Sequence, residues 1–274
     1  MIRDIALVIS DIDGTLVTPD KTLTPGAIAA VRRLDEAGIG FTLVSSRPPR
    51  GMEALLATLR VRLAFAAFNG GTVVGQGGEV IEAHRLAPAV AGGVLELIEG
   101  RGVDAWVFAG GDWRLRRLDG PRVGLERRTV GFDPAVVSGF DDVIGAVDKI
   151  VGVSDDAALL ARVEAQSLAR FGEAASICLS QPYYLDVTDP SANKGDAVAA
   201  LCAHIGVAPA RTAVFGDGFN DIPMFARAGL SIAMGQAAEA VRARADFVSG
   251  PNTEDGFAQA VERVIGLAGG TPSA

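Results

Sequence analysis

The sequence predicts an α/β protein in which a parallel-sheet core is interrupted by an inserted α+β domain. Short apolar, β-rich runs alternate with helical segments towards both ends of the chain, a rhythm typical of βα units around a buried parallel sheet. In the middle of the chain, strand-like runs follow one another across a short turn, which is typical of antiparallel pairing. The 274 residues, 49% of them apolar, are enough for one large or two modest cores.

The elements before residue 83 follow from local signals. The first predicted strand spans residues 5–10 and begins with the apolar run of residues 5–9. Thr24 and Pro25 supply the cap and first-turn proline of a helix that ends at Gly38. The other elements predicted here are, in order, a strand at 39–44, a helix at 48–60, a strand at 63–68, and a hairpin of residues 72–74 and 79–81.

From about residue 83 the rhythm changes. A helix over residues 90–99 precedes two strands, 105–108 and 113–118, and the turn-forming residues between these strands predict an antiparallel pair. The predicted elements that follow are a strand at 149–153, a helix at 157–171, and strands at 174–179 and 183–187.

The parallel rhythm resumes near the end of the chain. The predicted elements there are a helix at 193–205, a strand at 212–215, a helix at 222–227 and a strand at 230–233. We therefore predict a discontinuous α/β core, formed by residues 1–82 plus 188–274, and an inserted α+β domain at 83–187.

Charge and cysteine content limit the partners and the compartment. With 25 basic and 33 acidic residues the net charge is −8, so nucleic acid or an anionic membrane would be repelled. The apolar run from Ile5 to Ile9 is too short for a signal peptide, and no later run reaches the roughly 18 apolar residues of a membrane span. Two cysteines, Cys178 and Cys202, are too few for a disulfide framework, so we expect a reducing, cytoplasmic compartment.

Two acids directly follow the first predicted strand, in the run D-I-D-G-T-L of residues 11–16. Ligands of an open parallel sheet bind beyond the carboxyl ends of its strands. Carboxylates held close together repel and need a cation or a shared proton, and an oxygen-only site suits Mg²⁺ better than zinc. The alternative is that Asp11 and Asp13 form an ordinary acidic turn. The complete run after an apolar strand favours a metal site.

A second acidic pair follows another apolar strand, in the run F-G-D-G-F-N-D of residues 215–221. Asp217 and Asp221 could supply further ligands to the same ion, since the glycines let the backbone approach closely. Asp221 could also cap the helix that begins at Ile222. We predict Asp217 as a ligand and Asp221 as its support.

Two further residues are candidates for binding an anion. Lys194 lies at the start of a helix, where the helix dipole disfavours a cation unless an anion is bound there. Ser45 follows the second predicted strand and offers a hydroxyl group. The alternatives are a solvated lysine and a helix-capping serine. Neither His84 nor His204 lies with the acids or beside a serine, so a Ser-His-Asp hydrolase is not supported.

The chain resembles the haloacid dehalogenase (HAD) superfamily of phosphohydrolases in four features: the two acidic runs, Ser45 and Lys194. Both their order along the chain and their placement at strand ends or helix starts are similar to that family. The insert, with an N-G-G turn at 69–71 before it and the run N-T-E-D-G-F at 252–257, resembles the Cof-type subfamily with its large α/β cap. The resemblance covers nearly the whole chain. It implies a Rossmann-like, HAD-like core with the insert as a cap domain that determines substrate specificity.

The resemblance also implies a role for each candidate residue. Asp11 would be the nucleophile that attacks phosphorus, and Asp13 the general acid that protonates the leaving oxygen and then the base that activates water. The implied ligands of Mg²⁺ are Asp11, the backbone carbonyl of Asp13, and Asp217, with Asp221 steadying the site. The residues implied to bind the phosphate are Ser45, Lys194 and Asn220, with Arg47 as a candidate substrate contact.

The chain departs from the family pattern at two places. It has S-S-R at residues 45–47 where the family usually has T-G-R, and Gly235-Gln236 where Gly-Asn is more usual. Neither departure removes an implied ligand. We therefore expect an active enzyme whose kinetics or substrate range differ from those of family members with the usual residues.

The expected function is a Mg²⁺-dependent phosphatase of small phosphorylated metabolites, sugar phosphates or related cofactor phosphates, that acts through an aspartyl phosphate. One alternative is a phosphomutase, which would return the phosphoryl group to its substrate. The other is a non-catalytic module that binds a phosphorylated metabolite. The complete set of acids argues against the module.

A group of arginines in the insert allows two interpretations. The group consists of Arg114, Arg116, Arg117, Arg122, Arg127 and Arg128. It could recognise a second anionic group of the substrate, or it could form an ordinary exposed strand face. Surface arginines are common, so we favour the exposed strand face.

Overall fold

The computed structural model describes residues 4–268, which form two compact units. The first unit consists of the chain up to Ser46, Glu53–Ile81 and the chain from Asn193 onward, and the second of Arg47–Met52 and Glu82–Ala192. The ends of the predicted core, residues 1–3 and 269–274, lie outside the described residues.

Strands and α-helices follow one another along the described chain. The elements up to residue 83 are β1 (Leu7–Ser10), α1 (Pro25–Glu36), β2 (Gly40–Leu43), α2 (Glu53–Leu59), β3 (Phe65–Ala67), β4 (Thr72–Val74) and β5 (Val80–Ala83). Those up to residue 188 are α3 (Pro88–Gly100), β6 (Asp104–Ala109), β7 (Asp112–Leu115), α4 (Val123–Val130), β8 (Ala135–Val136), β9 (Val147–Val153), α5 (Ala157–Phe171), β10 (Ser176–Gln181) and β11 (Tyr184–Thr188). The remaining ones are α6 (Lys194–Ile205), β12 (Thr212–Gly216), α7 (Ile222–Phe225), β13 (Leu230–Ala233), α8 (Glu239–Arg242), β14 (Phe247–Val248) and α9 (Gly256–Ala268). Within residues 4–268, no helix is both long enough and apolar enough to span a bilayer.

A five-stranded sheet lies at the centre of the first unit, in the order β14-β13-β12-β1-β2, and each neighbouring pair is parallel. Leu7 and Ile9 of β1 are fully buried in a cluster that includes Leu201 of α6 and residues of α7. From the other side of the sheet, the ring of Phe215 contacts that of Phe257 in α9 at 5.1 Å between centroids. Helices thus pack on both faces, which confirms the predicted parallel α/β core.

Helix α1 shows how the sequence sets the boundaries of an element. The Thr24 side chain accepts a hydrogen bond from the backbone N–H of Ala27, and Pro25 occupies the first turn, where its missing N–H costs nothing. The helix ends before Gly38, whose φ of 72° favours glycine. The residues buried along one face are Ala27, Ala30, Val31 and Leu34.

The second unit is built on a six-stranded sheet in the order β10-β11-β9-β6-β7-β8. Its neighbouring strands are antiparallel except for the pair β7 and β8. Val94 of α3 and Leu160 of α5 share one buried cluster with Val107 and Ile150 of the sheet. This confirms the predicted α+β insert. A separate three-stranded sheet has the order β3-β4-β5.

The segment after β2 differs from the predicted helix over residues 48–60. A 3₁₀ turn spans Pro49–Met52, and the α-helix is confined to α2. Proline cannot continue a helix from the preceding turn, and a Cβ on Gly51 would come within 3.3 Å of Val130 in the second unit. Residues 47–52 therefore pack in the second unit, whereas the sequence analysis included them in the core. The same holds for residue 82 and residues 188–192.

The arginine group of the insert forms local ion pairs. The pairs are Arg114 with Asp142, Arg116 with Glu99, Arg117 with Asp104, Arg122 with Asp155, and Arg127 with Asp133. Such pairs on a surface are ordinary and contribute little to stability. Of the six arginines, Arg114 lies on a strand, β7. The assignment to a strand face is wrong for the other five: Arg116, Arg117 and Arg122 lie between β7 and α4, and Arg127 and Arg128 lie on α4, a helix that was not predicted.

Candidate active site

The acidic runs after β1 and β12 lie side by side because these strands are neighbours in the parallel sheet. The register pairs Ser10 with Phe215, and the N–H of Asp11 donates to the carbonyl of Phe215 at 2.9 Å. Residues that are distant in sequence therefore meet at the carboxyl edge of the sheet, where ligands of such sheets bind.

Three acids form a compact group that we call the acid cluster: Asp11, Asp217 and Asp221. One carboxylate oxygen from each lies within 4.8 Å of the other two. Asp11 and Asp221 are buried, with exposed fractions of 5% and 0%, and Asp217 is half-buried. Carboxylates this close repel one another unless positive charge is brought between them.

Lys194 brings part of that positive charge. It is the first residue of α6, whose start is capped by Asn193 through a hydrogen bond from the N–H of Asp196. The Lys194 ammonium lies 2.6 Å from Oδ1 of Asp11 and 2.6 Å from Oδ1 of Asp221. The side chain is 1% exposed, so the alternative of a solvated lysine is wrong.

Asp221 holds the backbone that carries Asp217. Its Oδ2 accepts hydrogen bonds from the N–H groups of Asp217 and Gly218, both at 2.8 Å, while its Oδ1 contacts Lys194. Both oxygens of Asp221 are therefore engaged by the protein. These contacts orient both the loop that carries Asp217 and the ammonium of Lys194.

Burial and mutual repulsion shift the pKa values of the cluster. Burial raises the pKa of Asp11 well above its ordinary value; Lys194 opposes the shift, and the other two acids add to it. Burial, assisted by repulsion from Asp221, raises the pKa of Asp217 to about 6. Burial alone would lower the pKa of Lys194, but the carboxylates of Asp11 and Asp221 outweigh it and raise the pKa, so this lysine remains an ammonium.

The acid cluster fits a divalent cation. Its donor atoms are all carboxylate oxygens, the ligands preferred by hard cations rather than by zinc. The three carboxylates carry more negative charge than the single ammonium of Lys194 neutralises, so the buried cluster keeps a net negative charge. A cation there would offset the repulsion that raises the pKa values of Asp11 and Asp217.

Without a divalent cation, we expect the protein to lose stability between acidic and neutral pH. The pKa of Asp217 is about 6 in the folded state and 3.8 ordinarily, so its contribution is present at low pH and lost as the pH rises through about 6. At about 1.4 kcal/mol per pKa unit, the loss amounts to about 3 kcal/mol. Urea unfolding in a chelator at about pH 4 and about pH 7.5 measures most of it, since about half of the loss has already occurred by about pH 5.

The matched variant for this measurement is Asp217→Asn, which cannot titrate. The difference in unfolding free energy between the wild type and this variant should change with pH in the stated direction. Excess Mg²⁺ at neutral pH should return the lost stability to the wild type. Identical pH profiles for the two proteins would contradict the expectation.

The loop after β1 is fitted closely to Asp217. Gly14 has a φ of 86°, and a Cβ at this position would come within 2.2 Å of Oδ2 of Asp217. The Thr15 hydroxyl donates to Oδ1 of Asp217 at 3.2 Å. Both the left-handed backbone and the close approach therefore require glycine at position 14.

Gln236 and Asn252 brace the same loop, and neither contact was predicted. The Gln236 side chain donates to the carbonyl of Gly14 and accepts from the N–H of Asn252 at 3.0 Å. The Asn252 side chain in turn donates to the carbonyl of Val17 at 2.8 Å. Position 236 was notable in the sequence because it departs from the family's Gly-Asn. Glutamine has one more methylene group than asparagine, and this longer side chain contacts the carbonyl of Gly14.

Asp13 forms an ion pair with a residue that the sequence analysis missed. Oδ1 of Asp13 lies 2.7 Å from the ammonium of Lys21, and both side chains are partly exposed. Among residues 4–268, the group of acids close enough to share a metal ion through their carboxylates does not include Asp13. Its carboxyl group is thus directed to Lys21 rather than into the acid cluster.

The remaining predicted residues are placed as follows. Ser45 is fully buried at the end of β2, and its N–H donates to the carbonyl of Ala66 at 3.0 Å. Asn220 is exposed, and its side chain donates to Oδ1 of Asn69 at 3.0 Å. Arg47 belongs to the second unit, is buried, and donates to the carbonyl of Gly51 at 3.5 Å.

Known proteins resemble this chain over most of its length. A family model described as haloacid dehalogenase-like hydrolase matches residues 8–261. A Haemophilus influenzae protein that carries a provisional phosphatase name is 30% identical over 259 residues, which cover 93% of this chain and 96% of that protein. The HMP-PP phosphatase of Cronobacter sakazakii is 30% identical over 227 residues, 83% of each chain.

A solved structure gives the same result. The crystal structure of a haloacid dehalogenase-like hydrolase from Bacteroides thetaiotaomicron is 28% identical, with a TM-score of 0.88 over 95% of this chain and 99% of that one. The match of the family model and the 30% identity to relatives both extend over most of the chain, and the residues that the family model matches include the acid cluster. The resemblance seen in the sequence is confirmed, and the chain belongs to the haloacid dehalogenase-like hydrolases.

Proposed function

We propose that this hydrolase is a Mg²⁺-dependent phosphatase that acts on small phosphorylated metabolites. The observation that carries the proposal is the buried acid cluster with the ammonium of Lys194 in contact with two of its members. Such an arrangement can bind a divalent cation and a phosphoryl group next to a carboxylate. Phosphoryl transfer needs chiefly this kind of alignment and charge neutralisation.

Asp11 is the nucleophile in this proposal. One of its carboxylate oxygens forms a bond to phosphorus, while the bond from phosphorus to the leaving oxygen breaks and leaves its electron pair on that oxygen. The product on the protein is an aspartyl phosphate, a mixed anhydride that water hydrolyses more readily than the original ester. The contact of Lys194 with Oδ1 of Asp11 fixes the direction of the carboxylate.

The proposed ligands of Mg²⁺ are Asp11, Asp217 and the backbone carbonyl of Asp13. When bound, the ion would neutralise negative charge on the phosphoryl oxygens. Asp221 is left out of the ligand set because its two oxygens already accept from two N–H groups and from Lys194.

Asp13 moves the protons. Its carboxylic acid donates a proton to the leaving oxygen in the first step, and its carboxylate then takes a proton from the attacking water in the second. Lys194, Ser45 and Asn220 bind the phosphoryl oxygens in this proposal. Their donors lie at the starts of helices or at strand ends of the first unit.

The two units receive different roles. We assign the chemistry to the first unit, predicted from the sequence as the core of residues 1–82 plus 188–274. We assign the choice of substrate to the second unit, predicted as the cap domain at 83–187. The substrate class is a sugar phosphate or a related cofactor phosphate, and the relative named HMP-PP phosphatase makes that compound an early candidate. Arg47 remains a candidate substrate contact.

The proposed partners and compartment follow from charge and thiol state. A net charge of −8 disfavours nucleic acid and anionic membranes, whereas a small phosphate ester needs only a local site. Cys178 and Cys202 are both free, which supports a reducing, cytoplasmic compartment.

A panel of phosphomonoesters tests the proposal. We expect the purified protein to release inorganic phosphate from one or more of them with added Mg²⁺ and to stop when a chelator is added. The panel includes sugar phosphates, cofactor phosphates and HMP-PP. Binding of a panel member without any phosphate release would favour the non-catalytic module.

The same assay separates a phosphatase from a phosphomutase. Phosphate release in the absence of any bisphosphate activator supports the phosphatase. Conversion of a phosphorylated sugar to its isomer, dependent on a bisphosphate and without net phosphate release, would support the mutase instead.

A further inference from the structure

The ion pair between Lys21 and Asp13 joins a turn to the run that carries the nucleophile. The Lys21 ammonium lies 2.7 Å from Oδ1 of Asp13, and the side chains are 32% and 24% exposed. Both residues belong to the first unit. The pair thus lies beside the proposed chemistry without entering the acid cluster.

The turn that carries Lys21 is held by its own hydrogen bonds. The N–H of Thr18 donates to the carbonyl of Thr22 at 3.0 Å, and the N–H of Lys21 donates to the carbonyl of Thr18 at 2.9 Å. The hydroxyls of Thr18 and Thr22 both donate to the carboxylate of Asp20. The backbone direction at position 21 therefore does not depend on the lysine side chain.

Folding stability does not account for this arrangement. Lys21 has a φ of 67°, a left-handed conformation that costs free energy for any residue with a Cβ. An ion pair that is this exposed returns little stability. Backbone strain at a position whose side chain contacts a candidate catalytic group is more typical of a functional site.

The ion pair keeps the Asp13 carboxylate out of the acid cluster. A carboxylate beside a divalent cation tends to become its ligand, and it is then unable to donate or accept a proton freely. Asp13 is separated by one residue from Asp11, so a metal ion bound by Asp11 would be close enough to attract the Asp13 carboxylate as a further ligand. The Lys21 ammonium offers its carboxylate a different partner, 2.7 Å away.

We propose that Lys21 is a positioning residue that holds the Asp13 carboxyl group at the leaving oxygen and away from the metal ligands. This inference rests on the proposed function and assigns a role to a residue outside the family motifs. In the first step, Asp11 bonds to phosphorus, the bond to the leaving oxygen breaks, and that oxygen keeps the electron pair and takes the proton of Asp13. The carboxylate left on Asp13 then restores the ion pair with Lys21 that is present before the substrate binds.

Two substrates with different leaving groups test this role. An alkyl phosphate has a poor leaving group, which must be protonated as it departs, whereas 4-nitrophenyl phosphate releases a stable phenolate that needs little protonation. In Lys21→Met, we expect kcat for the alkyl phosphate to fall by about 10- to 100-fold, with KM little changed. The same variant should lose less than about threefold on 4-nitrophenyl phosphate.

Two further variants serve as controls. Lys21→Arg keeps the positive charge and should remain close to the wild type on both esters. Arg33→Met removes a charge from α1, where Arg33 pairs with Glu262, and should leave both activities unchanged. Methionine at position 21 has the same left-handed backbone to adopt as lysine, so backbone strain is matched.

Equal losses of Lys21→Met on the two esters, or no loss on either, would overturn the positioning role. A wild type that hydrolyses neither ester nor any other member of the panel would overturn the proposed function, and the role of Lys21 with it. A wild type that is active while Lys21→Met shows no preference between leaving groups would overturn only the role of Lys21.

Discussion

Replacing Asp11 with asparagine should lower phosphate release by a factor of about 10⁴ or more, because the neutral amide lacks the nucleophilic carboxylate oxygen that forms the aspartyl phosphate. The fold should survive. Asparagine has nearly the same shape, and Asp221 still accepts from Lys194. Burial raises the pKa of Asp11, so the folded state disfavours its charged form. A neutral side chain there should leave the melting temperature without metal unchanged or higher.

Phosphate release and thermal unfolding in a chelator, both near neutral pH, measure these two effects. The matched control is Asp35→Asn, the same chemical change at an exposed position of α1. This control should keep full activity. Activity of Asp11→Asn comparable to that of the control would remove Asp11 from the role of nucleophile.

Replacing Lys194 with methionine should destroy both activity and much of the stability. Methionine fills a similar volume, but it leaves Asp11 and Asp221 buried without the ammonium that lies 2.6 Å from each. Removing one partner of a buried charge group typically costs about 3 to 5 kcal/mol. We expect a loss of this size in the free energy of urea unfolding near neutral pH and no measurable phosphate release.

The origin of that loss is itself testable. At about pH 5 the variant should recover part of the deficit, since the pKa of Asp217 is about 6 and that of Asp11 is raised, so the carboxylates take up protons. The double variant Asp11→Asn with Lys194→Met should also regain stability but not activity. A single Lys194→Met protein as stable as the wild type near neutral pH would contradict the charge balance inferred for the cluster.

Local signals made most of the first unit predictable. The cap, the proline and the terminal glycine of α1 act within one helix, and β1 and β12 are short apolar runs whose burial the sheet requires. The predicted helix over residues 48–60 failed in its first turn. Its prolines are a local signal, but the packing of Gly51 against Val130 depends on a distant part of the chain.

The acids and Lys194 could be found from the sequence because their positions follow from topology. Each acidic run follows a strand, neighbouring parallel strands end at one edge, and Lys194 begins a helix. The contacts of Lys21 and Gln236 could not be found in this way. The turn at residues 18–22 was not predicted, and the direction in which it projects its lysine is set by packing.

The position of β1 between β2 and β12 has a consequence for how the protein is made. A chain leaving the ribosome carries Asp11 and can pair β1 with β2 early, but β12 and Lys194 emerge only after the whole insert has been synthesised. Until then one edge of β1 is open and Asp11 has no ammonium beside it. Closure of the sheet across so long a segment is entropically costly and slow. The unfinished chain therefore has an unpaired β edge that can pair with other chains, and the acid cluster cannot fold until the chain has been synthesised beyond Asp221.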